Sequence, residues 1–241
     1  MQDDVEDLSG RAKLIDRTSG LRKAPVYLKA LRMTMLEKNI PSATYPIQDH
    51  LKKLTKEEIN NLPIRRWEGP VHQIRDDDQV SQAVRKLINE SVLGFDTETK
   101  PVFKKGISHL PSLLQLAAAD SVFLFQLNRL TNFVPLQELL ESHSVLKVGV
   151  GIAQDLEQLR AIFPFNPSHF YDLGEIARAM GMESHGLRTM AARFFHFRIS
   201  KRAQCSNWES PVLKPFQISY AATDAWISRE IFLAMRREGL S

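Results

Sequence analysis

From residue 71 onward the apolar positions follow two alternating rhythms, short runs with a period of two and longer ones with a period near 3.6. Residues 71–74 and 92–97 read as strands, and Val80, Val84, Leu87 and Ile88 between them mark an amphipathic helix. Two further strand patterns, 113–118 and 122–126, are separated only by a turn containing Asp120-Ser121, which predicts an antiparallel hairpin. A helix near 135–141, a strand over 145–150 and a helix from about Gln154 come next. Phe170-Tyr171-Asp172 reads as a last short strand, and helices fit 173–180, 187–195 and 216–237. A hairpin followed by strand–helix units implies an α/β domain with a mixed sheet and helices around it.

The first part of the chain is different. It lacks sustained periodicity apart from a short helix over 26–37, and Pro41 and Pro46 interrupt the residues after that helix. Thr55-Lys56-Glu57-Glu58 is a capping box opening a short helix that ends before Pro63. Trp67-Glu68-Gly69-Pro70 is a turn signal ahead of the alternating region.

Composition narrows the class. A chain with 43% hydrophobic and 25% charged residues is ordinary for a soluble globular protein. No apolar run reaches the about 18 residues of a membrane span. The acidic opening Met1-Gln2-Asp3-Asp4-Val5-Glu6-Asp7 is unlike a secretory signal. Cys205 is the only cysteine, so neither an internal disulfide nor a cysteine zinc cage is available, and a reducing, cytoplasmic setting is expected. A net charge of +4 suits a polyanionic partner. Residues 10–38 hold eight basic against two acidic residues, a local charge of +6, open both to nucleic-acid contact and to a solvated basic face.

The chemistry concentrates in three places. In Val92-Leu93-Gly94-Phe95-Asp96-Thr97-Glu98, strand alternation sends Leu93 and Phe95 one way and Asp96 and Glu98 the other, with Gly94 expected to leave open space on the acidic side. Adjacent carboxylates repel unless a cation sits between them, and hard oxygen ligands suit magnesium or manganese. Taken alone, Asp-x-Glu also describes a solvated acidic strand end. In Val148-Gly149-Val150-Gly151-Ile152-Ala153-Gln154-Asp155 a strand enters a two-glycine turn and Asp155 falls in the first turn of a helix. Gln154 stands where a dinucleotide fingerprint needs its third glycine. Asp155 either complements the helix dipole or faces the same cleft as Asp96.

In the last helix Pro215 suits the first position, and Phe216, Tyr220, Asp224, Ile227 and Ile231 share one stripe. An unpaired aspartate in an apolar stripe is costly to bury. Tyr220 and Asp224 lie one turn apart and reach a common point, either as a satisfied pair at the core edge or as an acid with an orienting or proton-accepting phenol. Four carboxylates converging on one cleft could hold two cations about 3.5–4 Å apart, the arrangement that activates water against a phosphodiester.

These motifs resemble those of a known group. Phe95-Asp96-Thr97-Glu98, Gly149-Val150-Gly151-Ile152-Ala153-Gln154-Asp155 and Tyr220-Ala221-Ala222-Thr223-Asp224 resemble the three motifs of the DEDD superfamily of 3′–5′ exonucleases. Tyr220-x-x-x-Asp224 is similar to its tyrosine subgroup (DEDDy), which includes ribonuclease D and the proofreading domain of DNA polymerase I. Gly94-Phe95-Asp96-Thr97-Glu98-Thr99-Lys100-Pro101 and Ser206-Asn207-Trp208 most resemble Werner-syndrome-type exonuclease domains and their stand-alone bacterial relatives. The likeness runs over 54–241 and leaves 1–53 as a basic N-terminal extension.

The resemblance implies a ribonuclease H-like fold with a mixed five-stranded sheet flanked by helices. It implies two Mg2+ or Mn2+ ions held by Asp96, Glu98, Asp155 and Asp224. Asp96 would bridge both, Glu98 and Asp224 would hold the ion that binds the attacking water, and Asp155 would support the second. Tyr220 would orient the nucleophile, and nucleoside 5′-monophosphates would leave DNA or RNA 3′ ends. Ser219 occupies the place of the histidine subgroup's histidine. Substrate-contact candidates are Thr97, Lys201, Arg202 and Trp208, with Trp208 either stacking on a base or packing in the core. Lys100, Lys104 and Lys105 are candidates for the cleft rim. Ribonuclease D-like RNA processing is an alternative; the extra C-terminal helical domains it commonly carries are not expected after Ser241. A binding module without turnover is another.

Overall fold

The computed structural model describes residues 53–102, 106 and 108–240. The basic stretch at 10–38, the helix expected over 26–37, and Lys104 and Lys105 lie outside the described residues. Helix α1 (Lys56–Asn61) starts on the expected capping box. Thr55 Oγ1 accepts from the Glu58 N–H at 3.1 Å, and the Glu58 carboxylate accepts from the Thr55 N–H at 2.7 Å. The segment after it makes a parallel bridge between Ile64 and Arg198. A few residues later the Trp67 N–H donates to Thr223 Oγ1 at 3.0 Å.

Strand β1 (Val71–Ile74) leads into α2 (Asp77–Leu87), whose N-cap Asp76 accepts from the Gln79 N–H at 2.9 Å. Then come β2 (Val92–Thr99), β3 (Pro111–Ala117), β4 (Val122–Gln126) and α3 (Val134–Glu141). The chain continues through β5 (Leu146–Gly149), α4 (Ala153–Ile162), β6 (Phe170–Asp172), α5 (Leu173–Ala179), α6 (Leu187–Phe195) and α7 (Pro215–Arg237). The hairpin and the strand–helix units therefore fall where the apolar rhythm places them.

The sheet order is β1-β4-β3-β2-β5-β6. Strand β3 pairs antiparallel with both β2 and β4, whereas β1–β4, β2–β5 and β5–β6 are parallel. The expected five strands are corrected to six. Both short edge segments find a neighbour, since the Val122 N–H donates to Pro70 O at 3.0 Å and the Lys147 N–H to His169 O at 2.8 Å. Because β5 runs parallel to β2, both strands deliver the chain to the same end of the sheet, which places the residues after β5 beside the acidic end of β2.

One face of the sheet is hydrocarbon. Leu93, Phe95, Leu114 and Leu116 pack there against Val84 and Leu87 of α2 and Leu136 and Leu139 of α3; each such burial is worth about 1.5–3 kcal/mol. Across the other face lies α7, with Ala221, Ala222 and Ala225 over Leu113, Ala117, Val122 and Leu124. Further along α7, Ile227 and Ile231 meet Val92 and Val148. Gly94 does not leave open space here. A Cβ at that position would sit 1.9 Å from the Ala225 carbonyl oxygen, so the glycine lets the helix backbone touch the strand. The stripe on α7 is also shorter than its periodicity suggests, because Phe216 at its start is exposed. No described helix is long and apolar enough to cross a membrane.

Candidate active site

Strand β2 and helix α7 bring three acids to one point. Asp96 and Glu98 share a face of β2, and Asp224 enters from α7, where the small residues around it allow close approach. One carboxylate oxygen from each of Asp96, Glu98 and Asp224 lies within 4.8 Å of the others. Glu98 and Asp224 are buried. Asp224 Oδ1 has no hydrogen-bond partner among the described residues, although it is shut away from solvent. Such an arrangement is costly unless positive charge enters it.

Asp155 arrives from the neighbouring strand. Gly151, at φ +72°, turns the chain through a left-handed conformation, and α4 then carries Asp155 in its first turn. The Thr97 hydroxyl donates to Asp155 Oδ1. Asp155 is therefore tied to β2 between the two acids of the strand, although it is not one of the three that crowd together. Thr97, expected as a substrate contact, spends its hydroxyl on this carboxylate.

The electrostatics follow from burial. Desolvation first, then the negative charges of Asp224 and Asp155, push the Asp96 carboxyl well above the usual range. Burial, then Asp96, Asp224 and Asp155, lift Glu98 to about 10. Asp224 is raised to about 7 by burial, opposed by the hydrogen bond from the Tyr220 hydroxyl and by the nearby Lys201 ammonium. Burial also raises Asp155, against the Thr97 hydroxyl. The Tyr220 phenol is pushed up by burial and then by Asp224 and Glu98. It stays protonated across the physiological range and acts as a donor.

The remaining expected residues separate. Lys201 is exposed and close enough to Asp224 to act on its charge. Arg202 is exposed, with its guanidinium 5.9 Å from the centre of the Phe216 ring. Trp208 is corrected as a base-stacking contact. It is 1% exposed and packs 6.0 Å, centre to centre, from the Tyr220 ring, so no base can reach its face. Lys100 is held by Glu209 at 2.7 Å, and His109 Nδ1 lies 3.0 Å from the same carboxylate.

Two residues that build the site carry no signal in a motif. Asp172 caps α5 by accepting from the Gly174 N–H at 2.8 Å, and it also accepts from the Gly151 and Ile152 N–H groups at 3.1 Å each. It thus fixes the turn that aims Asp155. Its place before a helix marks a cap, but its second set of bonds depends on β6 lying beside β5. The second, Gln115, stands directly across from Asp96.

Comparison with known proteins agrees with this geometry. Residues 71–239 match the family model described as 3′-5′ exonuclease. The chain is 29% identical over 183 residues to the mouse bifunctional 3′-5′ exonuclease/ATP-dependent helicase WRN, covering 72% of this chain and 13% of that protein. It is 27% identical over 180 residues to ribonuclease D of Haemophilus influenzae, covering 73% of this chain and 44% of the relative. The chain thus spans less than half the length of either relative. Among solved structures, the Nibbler EXO domain of Aedes aegypti superposes with a TM-score of 0.65 at 24% identity, over 73% of this chain and 91% of that one. The fold is therefore the ribonuclease H-like fold of these exonucleases, and the match over most of the chain, with the acids it gathers, makes this protein a member of the DEDD-type 3′–5′ exonuclease family.

Proposed function

We propose that the chain is an active 3′–5′ exonuclease that hydrolyses the terminal phosphodiester of a nucleic acid and releases nucleoside 5′-monophosphates. The observation that carries this reading is the Asp96–Glu98–Asp224 cluster, with Glu98 and Asp224 buried and one Asp224 oxygen unpartnered among the described residues. An all-oxygen donor set of this kind fits two magnesium or manganese ions. Asp96 would be shared between them, Glu98 and Asp224 would hold one, and Asp155 would support the other. Bound there, the ions supply positive charge to the transition state and make a water more acidic.

The protein's own groups do the rest. Tyr220, anchored on Asp224, would orient the nucleophile. Thr97 and Asp172 hold Asp155 in line from two sides. Lys201, exposed and near Asp224, would meet phosphate, and the exposed Arg202 beside it would add a second cation. The substrate is a DNA or RNA 3′ end; the ribonuclease D relative keeps RNA in view. The catalytic domain is taken as 54–241, with 1–53 as an extension. The free, exposed Cys205 suits a reducing, cytoplasmic setting.

Matched single-stranded DNA and RNA, labelled at the 5′ end and offered with magnesium or manganese, test the proposal. Wild type should give a ladder of shortened products. Asp224→Ala should give none while keeping its circular dichroism, and Tyr220→Phe should be slow but measurable. Tight binding without a ladder in wild type would make the chain a binding module instead.

A further inference from the structure

Gln115 lies on β3 directly opposite Asp96 on β2, and also opposite Leu124 on β4. Directly opposed residues of an antiparallel pair project to the same face, with Cβ atoms about 4.5–5.5 Å apart. Its neighbours on that face, Leu113, Ala117 and Leu124, pack beneath Ala221, Ala222 and Ala225 of α7. The Gln115 side chain is therefore sealed between sheet and helix, with Asp96 as the residue opposite it, and the residue is 0% exposed. Neither Nε2 nor Oε1 has a hydrogen-bond partner among the described residues. Gln126, in the same layer, at least donates to the Ser210 carbonyl at 3.3 Å.

Packing alone does not explain an amide here. A leucine or methionine would fill the same layer without burying two unbonded polar atoms. The residue opposite it is Asp96, whose Oδ1 accepts from the Thr97 N–H at 3.0 Å. A neutral donor suits the place. A lysine or arginine would hold the carboxylate equally well but would repel a cation bound to it.

We infer that Gln115 is a positioning residue for Asp96, its amide N–H holding the carboxylate in the orientation that ligates a divalent cation. This rests on the metal-dependent reading of the site proposed above. A carboxylate that ligates a cation is a charged acceptor, and the buried, unbonded amide of the residue opposite Asp96 is the donor placed to serve it.

The test uses the full chain and two apolar replacements of similar volume, Gln115→Leu and Gln115→Met. Manganese binding is read from the loss of the free-ion signal in electron paramagnetic resonance, alongside the thermal midpoint in EDTA and the kcat and KM for an oligonucleotide. Outer hydrogen-bond partners of metal ligands typically change metal affinity about 10–100-fold when removed. We expect a loss of that order, an EDTA midpoint equal to or above wild type, an unchanged KM, and a kcat restored by excess manganese. Wild-type manganese affinity in both variants overturns the inference. So does failure of both to fold, which would make the glutamine structural, and so does absence of manganese binding by wild type. If wild type binds manganese but shortens no nucleic acid, the exonuclease reading fails while the binding comparison still judges Gln115.

Discussion

On one side of β2 and β3, Leu93, Phe95, Leu114 and Leu116 disappear into hydrocarbon beneath α2 and α3. One residue further along the same strands, Gly94, Asp96, Glu98 and Gln115 face α7. The strands, the burial and the register are common to both sides, yet the first lowers the free energy of the fold and the second raises it. The acids repel one another, and Asp224 and Gln115 keep polar atoms without partners among the described residues. Stability and chemistry are thus laid on opposite faces of one sheet, and a substitution should damage one or the other according to the face it strikes.

Asp96→Asn should draw that contrast most sharply. Cleavage should fall below detection in a ladder assay, whereas the thermal midpoint in EDTA should rise, most at alkaline pH, because an acid that would be charged there beside other acids is replaced by a neutral amide. A lower midpoint would mean that the acidic face contributes to stability after all. Next in size, Leu116→Ala on the hydrocarbon face should cost about 2–5 kcal/mol in urea unfolding. Its folded molecules should keep wild-type manganese affinity, and a loss of affinity would show that the two faces are not independent.

The pH dependence comes third. Asp96 and Glu98, with Asp224 at about 7, hold their protons more tightly in the folded, metal-free protein than in the unfolded chain, where carboxylates titrate near about 4. Stability linked to these groups is complete below the unfolded values and is lost as pH rises through the folded ones. The EDTA midpoint should therefore fall between about pH 5 and about pH 9, and manganese should recover most at the alkaline end. A midpoint that climbs over that span would refute the raised carboxyls. The smallest effect belongs to Glu209→Gln, which weakens the pairing with Lys100 and His109 at the rim. Both side chains of the Lys100 pair are more than a third exposed, so solvent screening keeps its contribution below about 1 kcal/mol. A midpoint shift of a degree or two, with unchanged manganese affinity, is the expected reading.

Much of this face was legible before the fold. Asp96, Glu98, Asp155, Tyr220 and Asp224 sit in motifs, and strand alternation with helical periodicity assigns each to an element. The apolar rhythm also places the helices within a residue or two. What the rhythm cannot carry is pairing between distant segments. Gly94 reads as open space because nothing in its own strand shows that the Ala225 carbonyl will lie against it. Trp208 reads as a stacking ring or a core ring with equal ease until α7 covers it. Asp172 looks like a cap and Gln115 like a strand residue. Their further work appears only when β6 lies beside β5 and β3 beside β2.

The bond from the Trp67 backbone to Thr223 bears on how such a protein should be cut. The family match begins at residue 71, and a fragment trimmed there would keep every acid. It would lose the strap that fastens α7 from outside the sheet. Trp67 donates to the residue next to Asp224, its ring lies 5.8 Å from that of Trp226, and Trp226 in turn stacks 6.1 Å from Phe197. Arg198, beside that phenylalanine, is pinned to Pro63 and Arg65 by main-chain bonds of 2.9 and 3.0 Å. Measured by what restrains α7, the folded unit begins before the family model does, and any tether attached at that end would pull on Asp224 through three aromatic rings and one hydroxyl.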